Sequence, residues 1–381
     1  MKKYFFFAAA ALAALAACTK VTPVTTEPDQ EIAFKVVNYA NSTKADPDQP
    51  TGHLAFTGSF GVFAYANAYA NANDTWATSG TTANVYMNNV EISKVGNVWK
   101  NSQTSYFWPK KAKLTFAAYA PYKATAPTFA KNTGFTFTDY EIPSTADADL
   151  MVADLATDLT ANVTTQETAE GDGGYHFTQG VPLLFHHLLT SLQFKFQQAP
   201  YDNPNVNETA SKITVTAVEL RNFVGTKTYA QNAWATNSAA GNAHYTVSTT
   251  ATDIAKVSAN APTQIGNNDV IIMPQTLAAG PDPATAEPTD DTENGYQLLK
   301  VTYTVTTVYN HGTTDDTTDD TTLVEEGIVA YVPFNSTAIT AFTKNQKIVY
   351  TVTIYPYAKD EILFDPAVKP WDETTGTLTI K

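Results

Sequence analysis

The feature that most constrains this chain is an apolar residue at every second position, in segment after segment. The alternation runs through Ile32/Phe34/Val36, Leu114/Phe116/Ala118, Phe135/Phe137, Leu192/Phe194/Phe196, Ile213/Val215/Ala217, Val301/Tyr303/Val305, Ile328/Ala330/Val332 and Ile348/Tyr350/Val352/Ile354. A period of two places those side chains on one face of a pleated strand, whereas an amphipathic helix needs spacings of three and four. Threonine occupies the opposite phase in Thr302/Thr304/Thr306 and Thr351/Thr353, as one solvated face demands. The pattern predicts an all-β protein made of β-sandwiches.

With 381 residues the chain has material for about two such domains. Residues 1–17 read as a signal peptide and residues 18–30 as a Thr- and Pro-rich tether without apolar periodicity. An N-terminal sandwich is expected over residues 31–180 and a C-terminal one over residues 181–381. The boundary follows the turn Gly171-Asp172-Gly173-Gly174 and precedes Val181-Pro182-Leu183, where a strand series reopens. The stretches Ala64 to Ala83, Ala156 to Gly174, Ala230 to Thr252 and Ala279 to Gly295 read as surface loops.

The beginning of the chain carries an export address. Lys2 and Lys3 precede an apolar run from Tyr4 to Ala17, too short to span a bilayer and suited to a secretory signal. It ends in Leu15-Ala16-Ala17-Cys18, which looks like a bacterial lipobox. The single cysteine, Cys18, then falls where a diacylglyceryl group and palmitate-like chains would be attached, each buried CH₂ contributing about 0.8 kcal/mol to membrane anchoring. One cysteine excludes intramolecular disulfides, thiolate zinc sites and iron–sulfur ligation.

Charge removes a further class of function. The net charge is −14 and Arg221 is the only arginine, so the cationic surface that reads phosphates is missing and no nucleic acid partner is expected. No catalytic residue is assigned, no metal and no cofactor. The six histidines lie outside any metal-binding frame, and the neighbours His186 and His187 point to opposite faces of a strand. The run Asp315-Asp316-Thr317-Thr318-Asp319-Asp320 lacks the glycine and terminal glutamate of an EF-hand loop and reads as a solvated hairpin tip. Gly58-Ser59-Phe60-Gly61 has the wrong spacing for a nucleophile elbow. Trp76, Trp99, Trp108, Trp234 and Trp371 could stack on sugars, but read first as packing residues.

Segments in a characteristic order carry a family resemblance. They are Glu31-Ile32-Ala33-Phe34-Lys35-Val36 followed by Ser42-Thr43-Lys44-Ala45; Asp149-Leu150-Met151-Val152-Ala153; Pro182-Leu183-Leu184-Phe185-His186-His187-Leu188-Leu189 running into Leu192-Gln193-Phe194; Ile272-Met273-Pro274-Gln275; and Asn345 to Ile354, with Trp371 beyond. Together they resemble the fimbrillin family of Bacteroidales, the lipoprotein precursors of type V pili. The resemblance implies two tandem transthyretin-like sandwiches, an outer-membrane lipoprotein precursor, proteolytic trimming at the cell surface and assembly into a fimbria by strand exchange. Shaft members present arginine at the trimming site; here the basic residue is Lys44, so cleavage is expected between Lys44 and Ala45.

Cutting there would leave the first strand, Glu31 to Tyr39, removable, and a replacement would have to come from another molecule by β-strand addition. The expected donor is the tail, where Leu378 and Ile380 alternate with Thr377 and Thr379 after Gly376. The expected partners are other copies of the chain, other pilus subunits, the outer membrane through Cys18, and a host or bacterial surface ligand. An anchor or tip adhesin of the same pilus, or a surface glycan-binding lipoprotein using the tryptophans, are the alternatives.

Overall fold

A computed structural model of the chain describes residues 30–37, 58–68, 75–78, 84–109, 112–143, 149–160, 180–236, 241, 243–278, 296–313, 316–334, 339–356 and 362–370. The strands of the first half are β1 (Phe34–Val37), β2 (Phe60–Ala68), β3 (Asn84–Val95), β4 (Val98–Lys100), β5 (Ala112–Ala120), β6 (Thr128–Ala130), β7 (Gly134–Glu141), β8 (Met151–Ala153), β9 (Ala156–Leu159) and β10 (Val181–His187). Those of the second half are β11 (Thr190–Gln198), β12 (Lys212–Phe223), β13 (Thr226–Ala230), β14 (Ala233–Trp234), β15 (Ala243–Ser248), β16 (Thr252–Asp253), β17 (Ala255–Lys256), β18 (Thr263–Ile272), β19 (Gln275–Thr276), β20 (Leu298–Tyr309), β21 (Thr321–Pro333), β22 (Ala341–Phe342), β23 (Gln346–Ile354) and β24 (Ile362–Pro370). Among the described residues the one helical element named is the 3₁₀ turn Val257–Ala259, so the all-β expectation holds.

The first half closes on itself. Pairing runs β2-β3-β4-β1-β10-β8-β5, and β5 pairs back onto β2, with β9 attached to β5. Such a circuit gives each of its strands a partner on both sides, though β1 meets β4 only at Phe34↔Trp99. Inside it lie Ile32, Phe34, Phe60, Val62, Met87, Ile92, Trp108, Leu114, Phe116, Val181, Leu183 and Phe185. The phase read from sequence is the phase observed: β5 buries Leu114, Phe116 and Ala118 inside the ring. β5 also buries the opposite phase, Ala117 and Tyr119, because a second layer covers its outer face.

That second layer joins the halves. β7 pairs with β13, at Thr226↔Glu141, Lys227↔Tyr140 and Tyr229↔Phe137, to make a sheet ordered β14-β13-β7-β6. It packs through Phe135, Phe137, Tyr140 and Tyr229 against Phe63, Ala117 and Tyr119, and Leu150, Leu188, Leu189 and Met273 complete the cluster.

The second half is a sandwich. One sheet holds β17 and β18 beside β11, then β23 and β24; the other runs β15-β12-β20-β21, with β16 also on β12. Between them lie Leu192, Phe194, Phe196, Ile213, Val215, Val218, Leu220, Val301, Tyr303, Val305, Ile348, Tyr350, Val352 and Ile354. The Thr faces of β20 and β23 are only half-buried, as their opposite phase requires.

Sequence and structure part at four places. The strand after Gly180 does not open the second unit: β10 pairs in parallel with β1 and antiparallel with β8, and Val181, Leu183 and Phe185 enter the first core. The chain reaches the second core only with β11. The expected loops contain paired strands, because β2 includes Ala64 to Ala68, β9 begins at Ala156, and β14 and β15 fall within Ala230 to Thr252; small residues there allow close packing, Ala64 being fully buried. Residues 279–295 lie outside the described residues. The phase Ile213/Val215/Ala217 breaks at a bulge between Val215 and Ala217, so that Val218 takes the inward position. Finally, β1 spans Phe34–Val37, with residues 38 and 39 outside the described residues.

Candidate functional site: the seat of the first strand

β1 is short, yet it is held on every side. Its parallel register on β10 sets Phe34 opposite Val181, Lys35 opposite Pro182, Val36 opposite Leu183 and Val37 opposite Leu184. On the other side Phe34 pairs antiparallel with Trp99 of β4. Just before the strand, Ile32 N–H donates to the Tyr106 carbonyl at 2.7 Å and Trp108 N–H to the Gln30 carbonyl at 2.9 Å. Val181 N–H donates to the Ala33 carbonyl at 2.7 Å.

Apolar contact supplies most of the hold. Ile32 and Phe34 are each 2% exposed. The Phe34 ring meets Phe60 edge-on at 6.0 Å and Phe116 at 5.5 Å, and Val36 packs half-buried beside them. Full burial of a large apolar side chain contributes roughly 1.5 to 3 kcal/mol, so Ile32 and Phe34 together account for about 3 to 6 kcal/mol. That approaches the total stability of an ordinary domain, about 5 to 15 kcal/mol. Withdrawing β1 would open the ring and turn β4 and β10 into edges.

Two further residues shape the seat in ways that no local pattern marks. Gly180 has φ +100°, and a Cβ there would sit 2.7 Å from the carbonyl carbon of Phe34, so only glycine lets β1 lie this close. Glu31 accepts a hydrogen bond from Ser105 Oγ at 2.7 Å and pairs with Lys100 Nζ at 3.0 Å. These hydrogen bonds, Ser105 first and Lys100 second, hold its carboxyl below the usual carboxylate range.

Segments remote in sequence converge near the far end of β10. Asp149 and Asp154 flank β8, which is antiparallel to β10. His187 Nδ1 is bonded to Asp149 and buried at 4% exposure, and His186 Nε2 lies 3.0 Å from Asp154 Oδ1. The two histidines therefore face opposite ways, as expected from adjacency, and each has its own aspartate. No three His, Cys, Asp or Glu side chains assemble a metal site among the described residues.

Other sequence candidates resolve as packing or turns. Trp108 packs edge-on against Phe116 at 5.7 Å, while Trp99 against Phe60 at 5.4 Å and Trp76 against Tyr65 at 5.6 Å are tilted contacts. The Trp234 indole N–H donates to the Leu188 carbonyl at 2.6 Å. These contacts favour packing over sugar stacking for the four. Asp316, Asp319 and Asp320 lie in the turn joining β20 to β21, with Asp316 bonded to Thr318 and Asp319 to Thr313. Cys18, Lys44, Ala45, Trp371, Thr377, Leu378, Thr379 and Ile380 lie outside the described residues.

What this geometry defines is an all-β, multi-sheet protein whose short first strand is paired on both edges. The chain belongs to the fimbrillin-like family, whose model matches residues 43–371 and so begins just after β1. The family is structural rather than enzymatic and works at the cell surface. The fold is shared with a fimbrial protein from Bacteroides vulgatus, at 18% identity and a TM-score of 0.52, covering 90% of this chain and 100% of that one. Looser likenesses are a candidate cell adhesion protein from Bacteroides uniformis (15% identity, 90% and 98% of the two chains, TM-score 0.45) and the C-terminally truncated tip fimbrial protein Mfa3 from Porphyromonas gingivalis (11%, 83% and 94%, 0.34). No protein with a curated description matches the chain.

Proposed function

We propose that this chain is a polymerising subunit of a surface fimbria. It is exported as an outer-membrane lipoprotein through Cys18, trimmed between Lys44 and Ala45, and joined to other copies or other pilus subunits by strand exchange, in the service of adhesion. Two transthyretin-like sandwiches, one within residues 31–187 and one from residue 190 onward, are the domains of this reading.

The observation that carries it is the seat of β1. A strand ending at Val37 closes an otherwise continuous ring, and Lys44 follows it by only a few residues. A cut after Lys44 would remove the covalent tie between β1 and β2 while leaving the ring formed. β1 could then leave, and the bared edges of β4 and β10 would accept a strand of the same pattern from another molecule. The tail Thr377 to Ile380 offers that pattern, with Leu378 and Ile380 in the positions of the inward side chains. An anchor subunit would keep both its lipid and β1, and a tip subunit would be trimmed without passing on a strand.

The test is a deletion of residues 372–381 together with the variant Lys44→Gln. The deletion should be secreted and trimmed but give no ladder of multimers in unboiled surface extracts, and Lys44→Gln should accumulate as the longer, acylated form. A ladder from the deleted chain, or normal maturation of Lys44→Gln, would overturn the assignment of donor or cleavage site respectively.

A further inference from the structure

β21 is the longest strand among the described residues, and one of its edges is open. Its 13 residues, Thr321–Pro333, pair with β20 from Tyr309 down to Leu298, and among the described residues no strand lies on the other side. Such an edge is a row of free backbone N–H and C=O groups, ready to pair with a further strand. The side chains at its start are open too. Thr321 to Val324 are all exposed, Leu323 at 47% and Val324 at 48%. Neighbouring residues of a strand point to opposite faces, so these two bracket the edge, Leu323 on the Thr307 side and Val324 on the Thr306 side. Val329, opposite Thr302 and 39% exposed, adds an apolar side chain on the face of Val324. In the interior of a sheet the next strand would cover both faces.

Charge decides which strand fits there. Glu325 and Glu326 stand on β21 itself, and Asp316, Asp319 and Asp320 in the turn just before it. Pairing β21 with the same strand of a second copy would set these carboxylates near their like, in two chains of net charge −14 each, and like charges across a strand pair are destabilising. A strand that carries lysine or arginine between apolar residues meets the opposite condition. The usable length is set by the backbone. Ile328 pairs with Tyr303 and Glu325 with Val305, so Glu326 and Gly327, the latter at φ +67°, together oppose Thr304. That bulge interrupts the edge, and the regular open run is Thr321 to Glu326, about 20 Å long.

We propose that the Thr321–Glu326 edge of β21 binds an extended basic segment of another polypeptide by strand addition. Backbone groups of the edge pair with those of the segment, Leu323 and Val324 meet its apolar side chains on the two faces, and Glu325 and Glu326 meet its lysine or arginine. The same carboxylates turn away acidic strands, this chain's own β21 included, so that attraction and repulsion together select the partner. The site belongs to the second sandwich and involves none of the residues that seat β1. It would give a fimbrial subunit a protein ligand whether or not it polymerises by strand exchange.

The test is titration of the full unpolymerised chain with three blocked peptides of equal length, alternating lysine with valine, lysine with glycine, and glutamate with valine, followed by calorimetry and by hydrogen exchange. The lysine–valine peptide should bind saturably and in preference to both others, more weakly as ionic strength rises, and should protect the amides of Thr321 to Glu326. Glu326→Lys should weaken it about fivefold, the scale of a surface charge pair, and Leu323→Lys about tenfold through lost apolar contact and added repulsion. Both positions are exposed, so thermal unfolding should stay within the small spread of surface substitutions. Val85→Thr, at an exposed valine of β3 in the first half, should bind as the parent does. No binding of the lysine–valine peptide, equal binding of either other peptide, protection elsewhere than on β21, indifference to both β21 variants, or self-association of the chain that Leu323→Lys abolishes would each overturn the proposal.

Discussion

Glu31 shows how much one side chain at the start of a strand can organise. Its carboxylate gathers Ser105 and Lys100 from the segment that follows β4 and from β4 itself, and so holds the entry to β1 in place. Because its folded-state pKa lies below the ordinary value, its contribution is present above the unfolded-state pKa and is lost as pH falls through the folded-state one. Glu31→Gln should therefore lower the denaturant midpoint at pH 7, by an amount in the range of a partly exposed ion pair, about 0.2 to 1 kcal/mol. The difference between the two proteins should shrink as the pH is lowered towards about 3. A gap that is constant from pH 7 to pH 3 would show that the carboxylate charge is not what matters. Gly180 works through the backbone instead. Gly180→Ala places a Cβ 2.7 Å from Phe34 in a φ of +100°, a conformation that costs of order 1 to 3 kcal/mol for a side-chain-bearing residue. Loosened protection of the β1 amides in hydrogen exchange should report it, and protection equal to that of the parent would refute it.

Among elements, the strands that were legible are those whose burial is one-sided. β11, β20 and β23 could be read with the correct inward phase because each has one apolar and one polar face, and sheet packing obeys that pattern. β12 was legible only up to Val215, since the bulge at Thr216, whose hydroxyl donates to the Thr302 carbonyl at 3.0 Å, has no mark in the alternation. β2 was hidden because Ala64, Ala66 and Ala68 resemble the small polar residues around them, and only its pairing with β3 and β5 reveals a central strand. Alternation marks Val181–His187 as a strand, yet β10 enters the first core and not the second. Alternation states that a strand is buried on one face and does not state against which sheet.

For the whole molecule, the decisive feature is the layer shared by the two halves. Leu150, Leu188 and Leu189 are buried between the cores together with Met273, and β7 and β13 pair across the same boundary. Two cores tied in this way should unfold together. Leu189→Ala, at a fully buried position, should cost about 2 to 5 kcal/mol and split a single calorimetric transition into two, as the halves lose their coupling. A single transition at an unchanged midpoint would show that the shared layer carries little energy.

By itself, the sequence determined the β class, the inward phase of the one-sided strands, the packing role of Trp76, Trp99, Trp108 and Trp234, and the family. All of these are written in short stretches of chain, where a period of two or a local order of residues is enough. Tertiary structure alone decided that Val181–His187 completes the first ring beside β1, that Gly180 lies against Phe34, and that β11 lies in parallel beside β23. Each of these depends on which of many similar strands lies beside which, across separations of a hundred residues or more. That choice is made by the fit of whole sheets and is not contained in any local pattern.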